Sequence, residues 1–581
     1  DRIGVKHLRH DAVQVPADWP LEQVRLHLSL GGEGLVEVVY DEGESEGFGL
    51  DPNHRRYPLH AREFAIDAEV VGRLPFGQPV RDPHLEAAAL VVEEPDLSRL
   101  LALLSAVQSA AGALLEEEVA DPLLGAAEHA LTLLDWPSDT LPYVARTAGT
   151  PQQQAIWELP ADLPSSPAPL DEQARASVRA AIADLEKGLA KLRERYPKHG
   201  RVLLSGHAHL DLAWLWPLAE TRRKARRTSS TVLALLDRYP EFVFNQSSAQ
   251  VYAYLEEDDP ELWAAVKQEV EGGRWEPVGG MWIEPDCNLP SGEALARQLL
   301  YGQRYFERAF GHRHRVAWLP DCFGFTGGLP QLLRQAGITG FFTIKVNWSE
   351  TNHFPYDLFW WEGIDGTRVL AHTFENPGGG YNGDASPASF VGTWDNYRGK
   401  HVHPESLLSV GFGDGAGGPT REMMASVDVS EQLPVVPAAS FGLVEELFQR
   451  FGEAAERNSL PVWVGNLYLE LHRGTLTTQG RTKLLHRRGE RTLLAAEALG
   501  SLATLAGASL PPSLEPAWRI LLRNEFHDIL PGSGIREVYQ DAEAELSQVV
   551  EVAEAARATA VDAIAGQLAT DGGAPAVVAL N

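Results

Sequence analysis

The strongest chemical signal in the chain is Gly206-His207-Ala208-His209-Leu210-Asp211, directly after the apolar run Val202-Leu203-Leu204. In extended backbone, residues 207, 209 and 211 share one face, and the exit of a parallel strand is where α/β folds build their sites. Two imidazoles and a carboxylate there suit a divalent cation such as zinc; the other reading is a strand end whose histidines bond to backbone. A second strand exit, Trp318-Leu319-Pro320-Asp321-Cys322-Phe323-Gly324, presents Asp321. Taken alone, Asp321 reads equally as a helix N-cap; beside the first motif it offers a third ligand or a nucleophile. In Asn524-Glu525-Phe526-His527-Asp528, the stripe Trp518, Leu522, Phe526 predicts a helix that Pro531-Gly532 ends. Asn524, His527 and Asp528 then lie on one face, which a solvated helix end would also explain. Gly411-Phe412-Gly413-Asp414-Gly415-Ala416-Gly417-Gly418-Pro419-Thr420 lacks the Gly-Lys-Ser/Thr of a phosphate loop. It is either a flexible loop or a ligand approach that exposes Asp414 at another strand end.

These motifs need elements to hold them. Val24, Leu26, Leu28 and Leu30 alternate with polar residues before Gly31-Gly32, which predicts a strand, a turn, and a hairpin partner at 35–40. Short strands continue to about Val92, and Leu/Ala-rich helix follows from Leu97 to about Ala130. Leu159–Leu170 is Pro/Ser-rich and reads as a linker. Val178, Ile182, Leu185, Leu189 and Leu192 give a helical stripe. From 202 onward strand patterns (242–245, 316–319, 340–344, 368–373, 408–411) alternate with helical ones, as in a parallel sheet or barrel. Residues 481–564 read as three or so helices, and 574–581 as a strand without a partner after it.

Composition bounds the function. The chain has 581 residues, 44% hydrophobic and 22% charged, which excludes collagen, broad disorder and a coiled-coil rod. Its formal charge of −30 argues against a nucleic-acid partner. No apolar run spans a membrane. Two cysteines, Cys287 and Cys322, fit a reducing cytoplasm. Trp214, Trp216, Trp282, Trp348, Trp360 and Trp361 cluster near the motifs, as core or as platforms for a sugar ring. Arg222-Arg223-Lys224 with Arg226-Arg227 reads as a solvated helix face, and His312 and His314 as exposed.

GHAHLDLAW, WLPDCFGF, FFTIKVNW, GFGDGAGGPT, ELHRGTLTTQ and NEFHDILPGS together resemble the glycoside hydrolase family 38 α-mannosidases, in the cytosolic and bacterial branch with an N-terminal β domain. The resemblance runs from about residue 20 to the end. It implies a multidomain α/β chain: an N-terminal β domain (1–95), a helical linker region (96–198), a seven-stranded (β/α) barrel catalytic domain (199–460), a three-helix bundle (461–570), and the start of a C-terminal β-sandwich region (571–581), the rest of which is absent.

It also implies one divalent metal ion, zinc first and cobalt as the alternative, on His209, Asp211, Asp321 and His527, with His207 behind them. Asp321 matches the nucleophile, Asp414 falls where the acid/base is expected, and Asp528, Trp214, Asp286 and Lys345 are expected to bind substrate. The expected partner is a mannose-containing oligosaccharide, with no nucleic acid and no membrane, in a cytoplasmic homo-oligomer joined to a further C-terminal β portion. Two displacements imply retention, with carboxyl groups about 5–5.5 Å apart. The rival classes are a metal-dependent hydrolase of the amidohydrolase or polysaccharide-deacetylase type, a glycan-binding protein, and an inactive fragment.

Overall fold

The computed structural model describes residues 4–40, 44–115, 118–135, 170–378, 380–415, 417–509 and 511–568. The expected strand at 574–581 and nearly all of the expected linker at 159–170 lie outside these.

Seven strands open the chain: β1 (Lys6–Gln14), β2 (Val24–Ser29), β3 (Glu33–Tyr40), β4 (Ser45–Leu50), β5 (Arg56–Pro58), β6 (Glu63–Val71) and β7 (Ala87–Val92). They form two antiparallel sheets, ordered β1-β6-β3-β4 and β5-β2-β7. The expected hairpin between 24–30 and 35–40 does not form, because β2 pairs with β5 and β7 while β3 pairs with β4 and β6. Val24, Leu26 and Leu28 of one sheet and Val36, Val38 and Phe48 of the other share one buried core. The turn at Gly31 (φ 73°) therefore carries the chain from one layer to the other. A Cβ at Gly31 would lie 2.6 Å from the His84 backbone, so the crossing needs glycine.

Helices α1 (Pro95–Ala113), α2 (Ala120–Leu131) and α3 (Glu172–Arg195) follow. The Leu/Ala-rich stretch is two helices, not one. In α3 the Asp171 carboxylate caps the Ala174 N–H at 2.8 Å, and Val178, Ile182, Leu185 and Leu189 are buried as their spacing predicts.

Next come β8 (Arg201–His207), α4 (Leu218–Arg238), β9 (Phe244–Ser247), α5 (Ala249–Asp258), α6 (Pro260–Glu271), β10 (Trp275–Val278), α7 (Gly292–Phe310), β11 (Val316–Trp318), α8 (Leu329–Gln335), β12 (Gly340–Phe342), β13 (Leu358–Glu362), β14 (Arg368–His372), α9 (Pro387–Asn396), β15 (Ser406–Val410), α10 (Arg421–Ser430), β16 (Ala438–Phe441), α11 (Val444–Arg457) and β17 (Val462–Val464). In one sheet β8 pairs in parallel with β9, β15 and β16, and β9 with β10. In the other β12 joins β11 and β14 in parallel, while β13 runs antiparallel to β14. The Gly279 N–H donates to Val316 O at 3.1 Å, linking the end of β10 to β11.

Helices α12 (Gly480–Leu505), α13 (Glu515–Arg523) and α14 (Arg536–Ala565) complete the described chain. The expected helical face at 524–528 does not form, because α13 ends at Arg523. Phe526 instead bridges Pro285, the Asp286 N–H donates to Glu525 O at 2.8 Å, and the His527 N–H donates to Glu284 O at 3.3 Å. Burying Glu525, Phe526 and His527 against 284–286 satisfies backbone that a longer helix would have used internally.

The basic run is not a solvated face either. Lys224 and Arg227 are buried and pair with Glu33 of β3, at 2.7 and 3.5 Å, and Arg227 also pairs with Glu220 at 2.5 Å. Burying these cations requires such partners. His314 is buried as well, against Phe306, while His312 is exposed.

Candidate active site

The site is built on strand ends. His209 and Asp211 follow β8, Glu284 follows β10, Asp321 follows β11, Lys345 follows β12, Tyr381 follows β14 and Asp414 follows β15. His527 and Asp528 come from the turn after α13. The Thr221 hydroxyl of α4 lies 3.1 Å from Asp211 O and 2.6 Å from Leu212 O, which pins the segment carrying the first motif.

His209, Asp211, Asp321 and His527 converge, all buried, each offering one ligand atom within 4.8 Å of the others. His209 Nε2 stands 3.0 Å from Asp211 Oδ1, and His527 Nε2 stands 3.4 Å from Asp211 Oδ1 and 3.3 Å from Asp321 Oδ2. The His527 Nδ1–H donates to Glu284 O at 3.0 Å, so the lone pair of Nε2 faces the carboxylates. That Nε2 is buried and makes no hydrogen bond. An orphaned imidazole nitrogen among two carboxylates and a second imidazole fits a divalent cation. Two neutral imidazoles, two carboxylates and one dication sum to zero charge.

Glu284 completes the cluster. Its Oε2 lies 3.4 Å from His209 Nδ1, an ion-pair contact without good hydrogen-bond alignment, and its other oxygen accepts from Ser247. A carboxylate behind a ligand histidine fixes which nitrogen faces the ion. Sequence reasoning named Trp282 and Asp286 and missed Glu284 between them. The signal was available, since Glu284 follows a Gly-Gly turn at the end of β10.

Asp286 itself caps the Asn288 and Leu289 N–H groups at 2.8 and 2.7 Å and is not among the residues lining the cavity at this site. His207 lies behind His209, with Nδ1 3.1 Å from Asn245 O and its ring packed edge-on to Trp318.

The cavity beside the cluster has a volume of about 620 Å³. Asp211 and Asp321 reach it from the cluster; Asp414, Asp528, Trp214 and Lys345 line it with Trp348, Phe323, Tyr381 and His472. The last two and Phe323 were not anticipated as site residues. Trp216, Trp282 and Trp361 are core instead.

Burial would raise the Asp321 carboxyl, but the Lys345 ammonium, which bonds to it directly, opposes burial and holds it far below the usual carboxylate range. Lys345 also sits 3.7 Å from the centre of the Trp348 ring. Asp414 behaves oppositely: burial first, then the nearby Asp211 charge, push it up to about 6. Asp528 is raised by the same two causes and accepts a hydrogen bond from Ser533. The site thus holds one carboxylate kept ionised, Asp321, and two carboxyls inclined to hold a proton, Asp414 and Asp528, an arrangement that can supply both a nucleophile and an acid.

Asp414 sits on a strained loop, at φ 52°. The Tyr381 hydroxyl donates to its Oδ1 at 2.5 Å and the Asn382 amide to its Oδ2 at 3.3 Å. Gly413 lets the loop approach Asn382 and His209, because a Cβ there would lie 2.2 Å from Asn382 Oδ1 and 3.1 Å from the His209 Cβ. The N-terminal sheets brace the loop from outside. Lys224, neutralised by Glu33, donates to Gly415 O at 3.1 Å. His54 Nε2 bonds to Pro419 O at 2.9 Å while Nδ1 pairs with Asp51 at 2.8 Å. Burial opposes the His54 charge, but Asp51 outweighs it and raises the ring's pKa.

The family model described as "Glycosyl hydrolases family 38 N-terminal domain" matches residues 199–466, and "Alpha mannosidase middle domain" matches residues 470–564. Alpha-mannosidase G of Dictyostelium discoideum is 42% identical over 342 residues, which is 59% of this chain and 31% of that protein. Alpha-mannosidase 2C1 of Homo sapiens is 41% identical over 341 residues (58% and 32%), and the alpha-mannosidase of Saccharomyces cerevisiae 39% over 350 residues (58% and 32%). The matched part spans about a third of the length of these relatives. The solved structure of an alpha-mannosidase from Enterococcus faecalis V583 shares the fold with a TM-score of 0.54, at 21% identity over 63% of this chain and 43% of that one. With both matched regions lying end to end over more than half of its residues, the chain belongs to glycoside hydrolase family 38.

Proposed function

We propose that this chain carries the catalytic machinery of a retaining α-mannosidase that hydrolyses terminal α-linked mannose from oligosaccharides by double displacement. One observation carries the reading: Asp321 belongs at once to the buried His209, Asp211, Asp321, His527 cluster and to the cavity wall that also bears Asp414. Family membership and the likeness to proteins named alpha-mannosidases support it.

In this reading Asp321 attacks C1 of the bound sugar and forms a glycosyl ester, while Asp414 gives its proton to the departing glycosidic oxygen. Water then attacks C1 from the face the leaving group vacated, opposite the ester, releases Asp321 and passes its proton to Asp414, which restores both groups. Tyr381 and Asn382 hold Asp414 in place, Lys345 orients Asp321, and Trp214, Trp348 and Asp528 offer rings and an acceptor to the substrate. When bound, a divalent ion on His209, Asp211, Asp321 and His527 supplies Lewis acidity and a template for the cis 2- and 3-hydroxyls of mannose. Zinc suits this donor set best, and cobalt suits it too. Replacing Glu284 with glutamine is expected to weaken metal affinity about 10–100-fold, read by competition with a chromogenic chelator. Equal affinity in the variant would mean that Glu284 does not orient His209.

The strands β8, β9, β10, β11, β12, β14 and β15 are read as one closed seven-stranded (β/α) barrel within 199–460, and α12–α14 as a three-helix bundle within 461–570. The β strands of 1–95 and the helices of 96–198 precede them. A cytoplasmic setting is supported by Cys287 and Cys322, both buried and unpaired. No helix among the described residues is long and apolar enough to cross a membrane. Homo-oligomerisation and a further C-terminal β portion rest on the family resemblance.

The test is NMR of an aryl α-mannoside digest before mutarotation. The α-anomer of mannose should appear first. The β-anomer first would overturn the double displacement, and deacetylation of an acetylated sugar without mannoside turnover would favour the metal-dependent hydrolase of the deacetylase type.

A further inference from the structure

A second cavity, of about 360 Å³, opens where the N-terminal sheets meet α4 and α10, and shares no lining residue with the catalytic cavity. Its surroundings carry an excess of positive charge in a chain whose formal charge is −30. Arg25, Arg56 and Arg421 share the single carboxylate of Glu93, at 3.0, 3.8 and 2.8 Å. The exposed Glu422 reaches only Arg421, at 3.5 Å. Arg55 and Arg238 line the same cavity and make no ion pair or side-chain hydrogen bond among the described residues. His27 also lines it, and its Nδ1 is buried without a partner.

Such crowding has a cost within the folded chain. Burial lowers the Arg25 pKa, and among the neighbouring charges Arg238 and Arg421 lower it further against the pull of Glu93. His27 is lowered by burial first and then by Arg56 and Arg55, so its ring stays neutral and adds a polar atom without adding charge. Like charges gathered around too few carboxylates are relieved by an anion.

We propose that this cavity is a binding site for a phosphate monoester of a small organic molecule. The guanidinium is the group whose planar fork matches phosphate oxygens in pairs, and the charge left over around Glu93 suits a dianion better than a single carboxylate. Phe48, Tyr57, Ala234 and Leu235 give the cavity an apolar wall beside the arginines, with Asn53 and Thr231 as further polar groups. A volume in the range of small-molecule pockets, about 300–1,000 Å³, exceeds what bare phosphate fills. The organic body therefore packs against these side chains while the phosphate meets Arg55, Arg56, Arg238 and Arg421. The site adjoins the loop that bears Asp414, since His54 lines the cavity and bonds to Pro419 O.

The experiment is isothermal titration calorimetry of the full chain with glucose 6-phosphate, inorganic phosphate and glucose, on the wild type and on a double variant, Arg55→Ala with Arg238→Ala. Neither arginine has an ion-pair partner to lose, and each repels its neighbours, so the variant should melt no lower than the wild type and keep its aryl mannoside turnover. The expected result is that the ester binds, inorganic phosphate binds about tenfold or more weakly, glucose gives no heat, and the double variant loses about tenfold or more in ester affinity. Added salt should weaken the binding. Absence of binding by the ester, equal binding of ester and glucose, or equal ester affinity in wild type and double variant would each overturn the proposal. Binding of inorganic phosphate as tight as the ester would overturn the assignment of an organic body. These outcomes are independent of whether the catalytic cavity turns over mannosides.

Discussion

Replacing Asp321 with asparagine should lower kcat on an aryl α-mannoside by at least about 10⁴-fold, the scale expected when a covalent nucleophile is lost. Asparagine keeps the shape of the side chain and one oxygen, so the fall would report lost charge and nucleophilicity and not a cavity. Two effects combine, because Asp321 is one of four convergent ligand residues and also faces the substrate cavity. A third is separable. Lys345 is 2% exposed and bonds directly to Asp321, so the variant strands a buried ammonium. Breaking such a pair from one side costs about 3–5 kcal/mol of stability. Adding Lys345→Met to the variant should return much of that stability, read by chemical unfolding, and none of the activity. Recovery of turnover in the double variant would show that Asp321 acts by holding Lys345 and not by attacking the sugar.

Replacing Asp414 with asparagine should lower kcat about 10²–10⁴-fold for substrates with poor leaving groups and much less for activated aryl mannosides. An acid is needed only where the leaving oxygen cannot depart unaided. The sign of the pH dependence follows from the raised pKa. Burial and the Asp211 charge push Asp414 up to about 6, so it holds its proton below that value and loses it as pH rises through it. The wild-type kcat/KM should therefore decline on the alkaline side from about pH 6, and the variant should lack that decline. Azide should restore turnover of the activated substrate by attacking the glycosyl ester without needing a base. An unchanged alkaline limb in the variant would assign the acid to another group, with Asp528 next in line, since burial and Asp211 raise it too.

The pattern of site residues was legible in the sequence where local spacing decided it. His209 and Asp211 alternate at the end of β8, and Asp321 follows β11, so each is delivered by one strand and its turn. His527 was legible as a residue but not as a geometry. Its stripe of Trp518, Leu522 and Phe526 has helical spacing, yet the pairing of Phe526 with Pro285 ends the helix at Arg523.

What sequence could not supply were partners far along the chain. Lys224 and Arg227 look solvated until Glu33, some 190 residues earlier, is folded over them. β2 and β3 look like a hairpin until their apolar faces are seen to meet across a core. Glu284 differs: the Gly-Gly turn before it marks the exit of β10 in the sequence, although a four-residue strand carries little pattern of its own. In the first two cases a tertiary contact overrode a local pattern.

The central claim is that His209, Asp211, Asp321 and His527 hold one divalent ion. Its most direct test is X-ray absorption at the metal edge of the purified chain, with metal content counted per molecule. The account predicts one ion per chain, bound by nitrogen and oxygen at about 2.0–2.2 Å with no sulfur, and its loss in His527→Ala. No bound metal, a sulfur ligand from the adjacent Cys322, or full occupancy in that variant would contradict it.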